Sequence, residues 1–92
     1  MSEKKYIEIV IQNKYGIHAR PVSSFVKIAS KYQSDIFVQK NNVKVNGKSI
    51  MGLLAMEATC GSKIVISAEG IDAEQALNDL QNLINNKFGF DE

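Results

Sequence analysis

The sequence predicts an α+β fold: an open-faced β-sandwich of order βαββαβα, with a four-stranded antiparallel sheet covered on one face by three helices. Three observations predict it. Four segments alternate apolar and polar side chains with a period of two, as half-buried strands do. Three others place apolar residues three or four positions apart, as amphipathic helices do. The connections are short, and a chain of 92 residues supplies one hydrophobic core rather than two. Residues 1–92 therefore read as a single domain.

The first strand is residues 6–11, where Ile7, Ile9 and Ile11 alternate against Tyr6, Glu8 and Val10. The turn-forming run QNKYG ends it. From Pro21 the period changes: Val22, Phe25, Val26, Ala29 and Tyr32 share one helical face that closes near Tyr32. Proline suits a first helical turn because an N–H there has no intrahelical partner to lose. The second strand is residues 34–40, with Ile36 and Val38 on one side, and residues 43–45 resume the alternation. Asn41-Asn42 between them predicts a tight hairpin, since asparagine accepts positive φ more readily than most residues.

The second helix is the short run SIMGLLAM, with Ser49 at its N-cap. At about 100° per residue, Ile50, Met51 and Leu54 fall on one arc, and Leu53 and Met56 on another. One arc can face the core; the other must meet solvent or a partner. Residues 63–69 form the fourth strand, with Ile64 and Ile66 against Val65 and Ser67, and Gly70 ends it. Asp72 is placed to cap the third helix in a box-like pair with Gln75. Ala73, Ala76, Leu77, Leu80, Leu83 and Ile84 supply its stripe, and Gly89 its stop.

Composition excludes several classes. The formal charge of +1, with both signs interspersed, gives no footprint for nucleic acid. No apolar run approaches the roughly 20 residues that span a bilayer, so no membrane insertion is expected. The first ten residues lack the features of a secretory signal. The single cysteine, Cys60, fits a cytoplasmic location and reads as a small residue packed near a loop. No metal or cofactor is expected, because the only histidine has no second ligand at the required spacing.

That histidine, His18, sits in GIHARP, where the strand pattern has stopped and a helix begins. Backbone N–H groups at a helix start point outward, and the helix dipole is positive there, so the place favours an anion, phosphate in particular. An imidazole in that position offers a ring-nitrogen lone pair for attack. Arg20 adds a planar fork of donors suited to phosphate oxygens. These features describe a nucleophile that takes up a phosphoryl group. Local chemistry leaves other readings open: an incidental helix-start residue, or a hydrolase pairing with Cys60 or a serine. RNA on the open sheet face, with Tyr6 and Phe37, is a further class, but no basic stripe accompanies those rings.

GIHARP and NGKSIMGLLAM, in their mutual spacing, resemble the HPr family of histidine-containing phosphocarriers of the phosphoenolpyruvate-dependent sugar phosphotransferase system. The likeness runs from about Tyr6 to Gly89. It implies the same open-faced sandwich and a carrier that is a stoichiometric phosphohistidine intermediate rather than a turnover enzyme. By position it implies that His18 accepts phosphate on Nδ1 and Arg20 stabilises it, with Gly16, Ile17, Ala19 and Pro21 in support. Ser49 matches a serine that HPr kinase/phosphorylase modifies in many members. Ile50, Met51 and Leu54 match the exposed patch that docks enzyme I and enzyme IIA domains. A monomer is expected, and Lys27, Lys31 and Lys48 are candidates to complement acidic partners. A nitrogen-branch or mainly regulatory member is the alternative within the family, although its silent relatives lack the active histidine. The departures are Asn42 and Glu57, where glycine is common, and the polar Ser23 and Ser24.

Overall fold

A computed structural model describes residues 3–12, Gly16 and residues 18–86. Seven elements follow in the predicted order: β1 (Glu3–Val10), α1 (Ala19–Ala29), β2 (Asp35–Lys40), β3 (Val43–Asn46), α2 (Ile50–Ala55), β4 (Lys63–Gly70) and α3 (Ala73–Asn85). The strands form one antiparallel sheet of order β1-β4-β2-β3. In its register Tyr6 faces Ser67, Ser67 faces Phe37, and Phe37 faces Asn46. The strands that neighbour in sequence at the hairpin also neighbour in space, while β4 returns to lie between β1 and β2.

Period-two alternation sends Ile64, Ile66 and Ala68 of β4, and Ile36 and Val38 of β2, into the core beneath the helices. The helices answer with Val22, Phe25 and Ala29 of α1, Leu53 of α2, and Ala76, Leu80 and Ile84 of α3. Burying one such isoleucine or leucine side chain is worth about 1.5–3 kcal/mol over leaving it in water. The helix α3 packs on β1 and β4, and α1 packs against both α2 and α3. The other sheet face is open.

Several boundaries move from their predicted places. The strand β1 begins earlier and stops at Val10, but Ile11 is buried and exchanges backbone bonds with the turn before β4: its N–H donates to Ser62 O, and its own carbonyl accepts from Gly61 N. The helix α1 ends at Ala29, and its apolar face runs on to Tyr32 because the last turn tightens, with Lys31 N–H donating to Ile28 O and Tyr32 N–H to Ala29 O. The positive φ of the hairpin falls on Asn41 (φ 55), not on Asn42. The expected stop at Gly89 lies outside the described residues.

Asp72 occupies the N-cap position of α3, yet its side chain makes no capping bond, so the predicted box with Gln75 is not formed. Its carboxylate reaches across to the segment that enters β2. It accepts from Gln33 N–H (2.9 Å), Ser34 N–H (2.9 Å) and the Ser34 hydroxyl. The Ser34 hydroxyl first, then the Gln33 amide, holds the Asp72 carboxyl below its ordinary value. Ser34 is buried, and three donors aimed at one carboxylate outcompete a single local capping bond.

Candidate functional site

His18 is the N-cap residue of α1, with an extended backbone (φ −127°, ψ −168°), and it is half-buried. Its carbonyl accepts the first intrahelical bond, from Val22 N–H at 2.9 Å, and its side chain does not cap the helix. Ala19 and Arg20 open the helix and are exposed, whereas Pro21 is buried in the same turn. No acidic residue lies in this first turn. The dipole's positive end and the Arg20 guanidinium therefore act together, with no carboxylate of the turn opposing them.

Gly16 fixes the approach. Its φ is +71°, and a Cβ there would stand 2.5 Å from Ala58 O and 2.8 Å from Thr59 Cα, both backbone atoms. Gly16, two residues before His18, thus lies directly on the segment that follows α2. That segment is itself anchored. Ala58 is buried, Thr59 N–H donates to Ser62 Oγ, and Gly61 N–H donates to Ile11 O. Ile17, expected in support of His18, lies outside the described residues.

Glu57, one of the departures from glycine, adopts φ 54°, a left-handed conformation that ends α2 just past Met56. Its carbonyl accepts from Lys40 Nζ at 2.8 Å. Cys60 is exposed rather than packed, with its thiol 3.9 Å from Gln12 O. It belongs to a surface turn closed by its neighbours' backbone bonds, which leaves no enclosed volume for it to fill.

Ser49 is the N-cap of α2, and its Oγ accepts from Gly52 N–H at 3.0 Å. The two arcs of this helix separate as their angles require. Leu53 and Met56 are buried, while Met51 is 78% exposed, Ile50 is 45% exposed and Leu54 is partly covered. A large apolar surface therefore faces solvent on the outer side of the helix. The three lysines behave differently from one another. Lys48 Nζ donates to Tyr32 O at 2.7 Å, tying the start of α2 to the end of α1, and Lys27 lies in the last turn of α1 rather than at a helix start. Lys31 is exposed beyond it. Sequence reasoning missed the Lys48–Tyr32 and Lys40–Glu57 ties, because neither pair has a local spacing that would reveal it.

Comparison with known proteins gives one consistent answer. A family model described as the PTS HPr component phosphorylation site matches residues 5–86. The phosphocarrier protein HPr of Neisseria meningitidis serogroup A is 44% identical over 86 residues, covering 94% of each chain. The HPr-like protein Crh of Bacillus subtilis is 38% identical, covering 79% of this chain and 86% of its own. A crystal structure of HPr from Thermoanaerobacter tengcongensis superposes with a TM-score of 0.92 at 48% identity, over 96% of this chain and 99% of that one.

Proposed function

The chain belongs to the HPr family of phosphotransferase-system phosphocarriers, and on that premise we propose that it accepts a phosphoryl group from phospho-enzyme I on His18 and passes it to enzyme IIA domains. The Nδ1 lone pair forms the new bond to phosphorus as the donor's bond to phosphorus breaks, and onward transfer reverses the step. Arg20 balances charge on the phosphoryl oxygens, and the positive end of α1 does the same. Each cycle returns the protein unchanged, so it serves as a stoichiometric intermediate in the cytoplasm, acting as a monomer. The carrying observation is His18 at the N-cap of α1, its first turn holding Arg20 and no acid, in a chain matched by the family's phosphorylation-site model.

Ile50, Met51 and Leu54 form the docking patch in this reading, and methionine suits a surface that meets several partners. Ser49 is the residue modified by an HPr kinase/phosphorylase. Phosphate there adds negative charge beside the patch, where it opposes a partner that offers carboxylates. The similarity to Crh favours a second reading, a regulatory member whose working residue is Ser49 alone. The presence of His18 weighs against it.

Incubation with phosphoenolpyruvate and enzyme I, followed by mass analysis before and after acid treatment, tests the proposal. One acid-labile phosphoryl adduct is expected, absent from His18→Ala. No adduct with a competent enzyme I overturns carriage on His18. An acid-stable adduct with ATP and the kinase, lost in Ser49→Ala, would then support the regulatory reading.

A further inference from the structure

Lys40 closes β2, where it pairs with Val43 across the hairpin and is followed by Asn41 at φ 55°. The sheet therefore fixes the point from which its side chain starts. That side chain is half-buried, and its Nζ donates to Glu57 O at 2.8 Å. Among the described residues no carboxylate stands within ion-pair distance of this ammonium, that of Glu57 included. A cation that could lie in water is thus committed to a neutral main-chain oxygen.

Glu57 has a backbone that needs such a tie. Its φ of 54° lies in the left-handed region, which a non-glycine residue keeps only where its surroundings hold it. Its N–H donates to Leu54 O at 3.2 Å and its side chain is exposed, so the carbonyl is the group anchored to the sheet. The next residue, Ala58, supplies the oxygen against which Gly16 rests: a Cβ on Gly16 would stand 2.5 Å from Ala58 O. His18 follows two residues after Gly16. The far end of the same segment is held separately, by Thr59 N–H on Ser62 Oγ and by Gly61 N–H on Ile11 O. Lys40 holds the near end, where the chain turns left-handed. Release of the Glu57 carbonyl frees that peptide to rotate and carries the Ala58 oxygen away from Gly16.

We propose that Lys40 is a positioning residue for phosphoryl transfer at His18, acting through the Glu57 carbonyl and the Ala58–Thr59 backbone beneath Gly16. The inference rests on the phosphocarrier reading and adds a residue to it. Lys40 serves rate rather than docking in this role. It sets where Gly16 rests, while Ile50, Met51 and Leu54 lie earlier, on α2 itself.

The test compares the full chain with two variants in phosphorylation by enzyme I and phosphoenolpyruvate. Lys40→Met keeps the stem and removes the donor; Lys40→Arg restores a donor of similar reach. Lys40→Met should lower kcat roughly fivefold with KM unchanged, because a misplaced reacting group costs rate rather than affinity. Lys40→Arg should recover most of that loss. Lys44→Met removes the hairpin lysine that lies over the Phe37 ring, 4.8 Å from its centroid, and should leave both constants unchanged. In the isotope-labelled chain, the amide shifts of Gly16, Ala58 and Thr59 should move in Lys40→Met and return in Lys40→Arg, while those of α3 stay in place. Equal kcat in Lys40→Met and wild type overturns the positioning role, as do amide shifts that leave Gly16 and Ala58 where they are. A raised KM at unchanged kcat, fading as salt rises, also overturns it, since that is the signature of charge steering. So does an equal loss of kcat in Lys40→Arg or Lys44→Met. Wild type that takes up no phosphoryl group from a competent enzyme I overturns the phosphocarrier reading and this inference with it, whereas uptake that Lys40→Met leaves unchanged overturns this inference alone.

Discussion

Replacing Gly16 with alanine adds one methyl group and separates two costs that the structure allows to be counted. Gly16 has φ +71°, and the added Cβ would meet Ala58 O at 2.5 Å and Thr59 Cα at 2.8 Å. A non-glycine residue in the left-handed region costs about 1–2 kcal/mol. Pressing a methyl into fixed backbone costs about 1–3 kcal/mol more. Reduced freedom of the unfolded chain returns about 0.4–1 kcal/mol. The net expectation is a loss of about 1–4.5 kcal/mol, with the melting temperature falling about 4–8 °C for each kcal/mol. Gly61 is the internal control. It has φ +90°, but nothing lies within 4 Å of its would-be Cβ, so Gly61→Ala bears the backbone cost alone. Urea unfolding followed by circular dichroism measures both, compared at a common slope. Gly16→Ala should be the less stable by about 1–3 kcal/mol, the contact term. If the two variants unfold at the same midpoint, the segment after α2 yields to the methyl and is no platform for the chain before His18. Under the phosphocarrier proposal, Gly16→Ala also slows phosphoryl acceptance, and Gly61→Ala does not.

Glu57→Gly should raise stability by about 0.5–1 kcal/mol, since glycine removes the left-handed penalty at φ 54° and returns only part of it as chain entropy; a lowered thermal midpoint would refute this. Asp72→Asn should destabilise the protein near neutral pH. Because the folded-state carboxyl is depressed below its ordinary value of 3.8, its contribution is fully present above that value and is lost as pH falls through the folded one. The gap between wild type and variant should therefore narrow only at pH values below 3.8, and a constant gap through acid unfolding would sink the assignment. Ser49→Ala removes the acceptor for Gly52 N–H and should cost about 1 kcal/mol in chemical denaturation, whatever its effect on kinase labelling. Met51→Glu, at a position 78% exposed, should change stability by less than about 0.5 kcal/mol and yet weaken transfer from enzyme I. Unaltered transfer kinetics would remove Met51 from the docking surface.

Periodicity made the architecture legible because each strand and helix buries one face, and burial is written into the spacing of apolar residues. The two arcs of α2 show this best: angular position alone separated Leu53 and Met56 from Ile50 and Met51, and exposure divides them the same way. What stayed hidden was decided by residues distant in sequence. Asp72 had the local chemistry of a cap, but the donors of Gln33 and Ser34, nearly forty positions earlier, claimed its carboxylate. Cys60 had the composition of a packed residue, but turn geometry left it outside. Asn41 and Asn42 are equally able to take positive φ by residue type, and nothing in the local pattern shows that Asn41 is the one that does. The support beneath Gly16 had no signature, because backbone atoms form it.

That support bears on how a carrier of the proposed kind would work. A residue that receives and surrenders the same group must be reachable by two partners in turn, which argues for exposure. It must also present the same geometry to each, which argues for a backbone that does not adapt. These demands conflict if the histidine sits on an unsupported loop. Here Gly16 lies on the Ala58–Thr59 backbone, Pro21 is buried in the first turn of α1, and the His18 carbonyl is already held by Val22 N–H. The main chain at Gly16 and in the first turn of α1 is thereby held by backbone contacts, and the His18 side chain does not cap the helix. Preorganisation of this sort lowers the ordering cost of each encounter without tightening the grip on the transferred group. It therefore favours rapid passage in either direction over retention of the phosphoryl group.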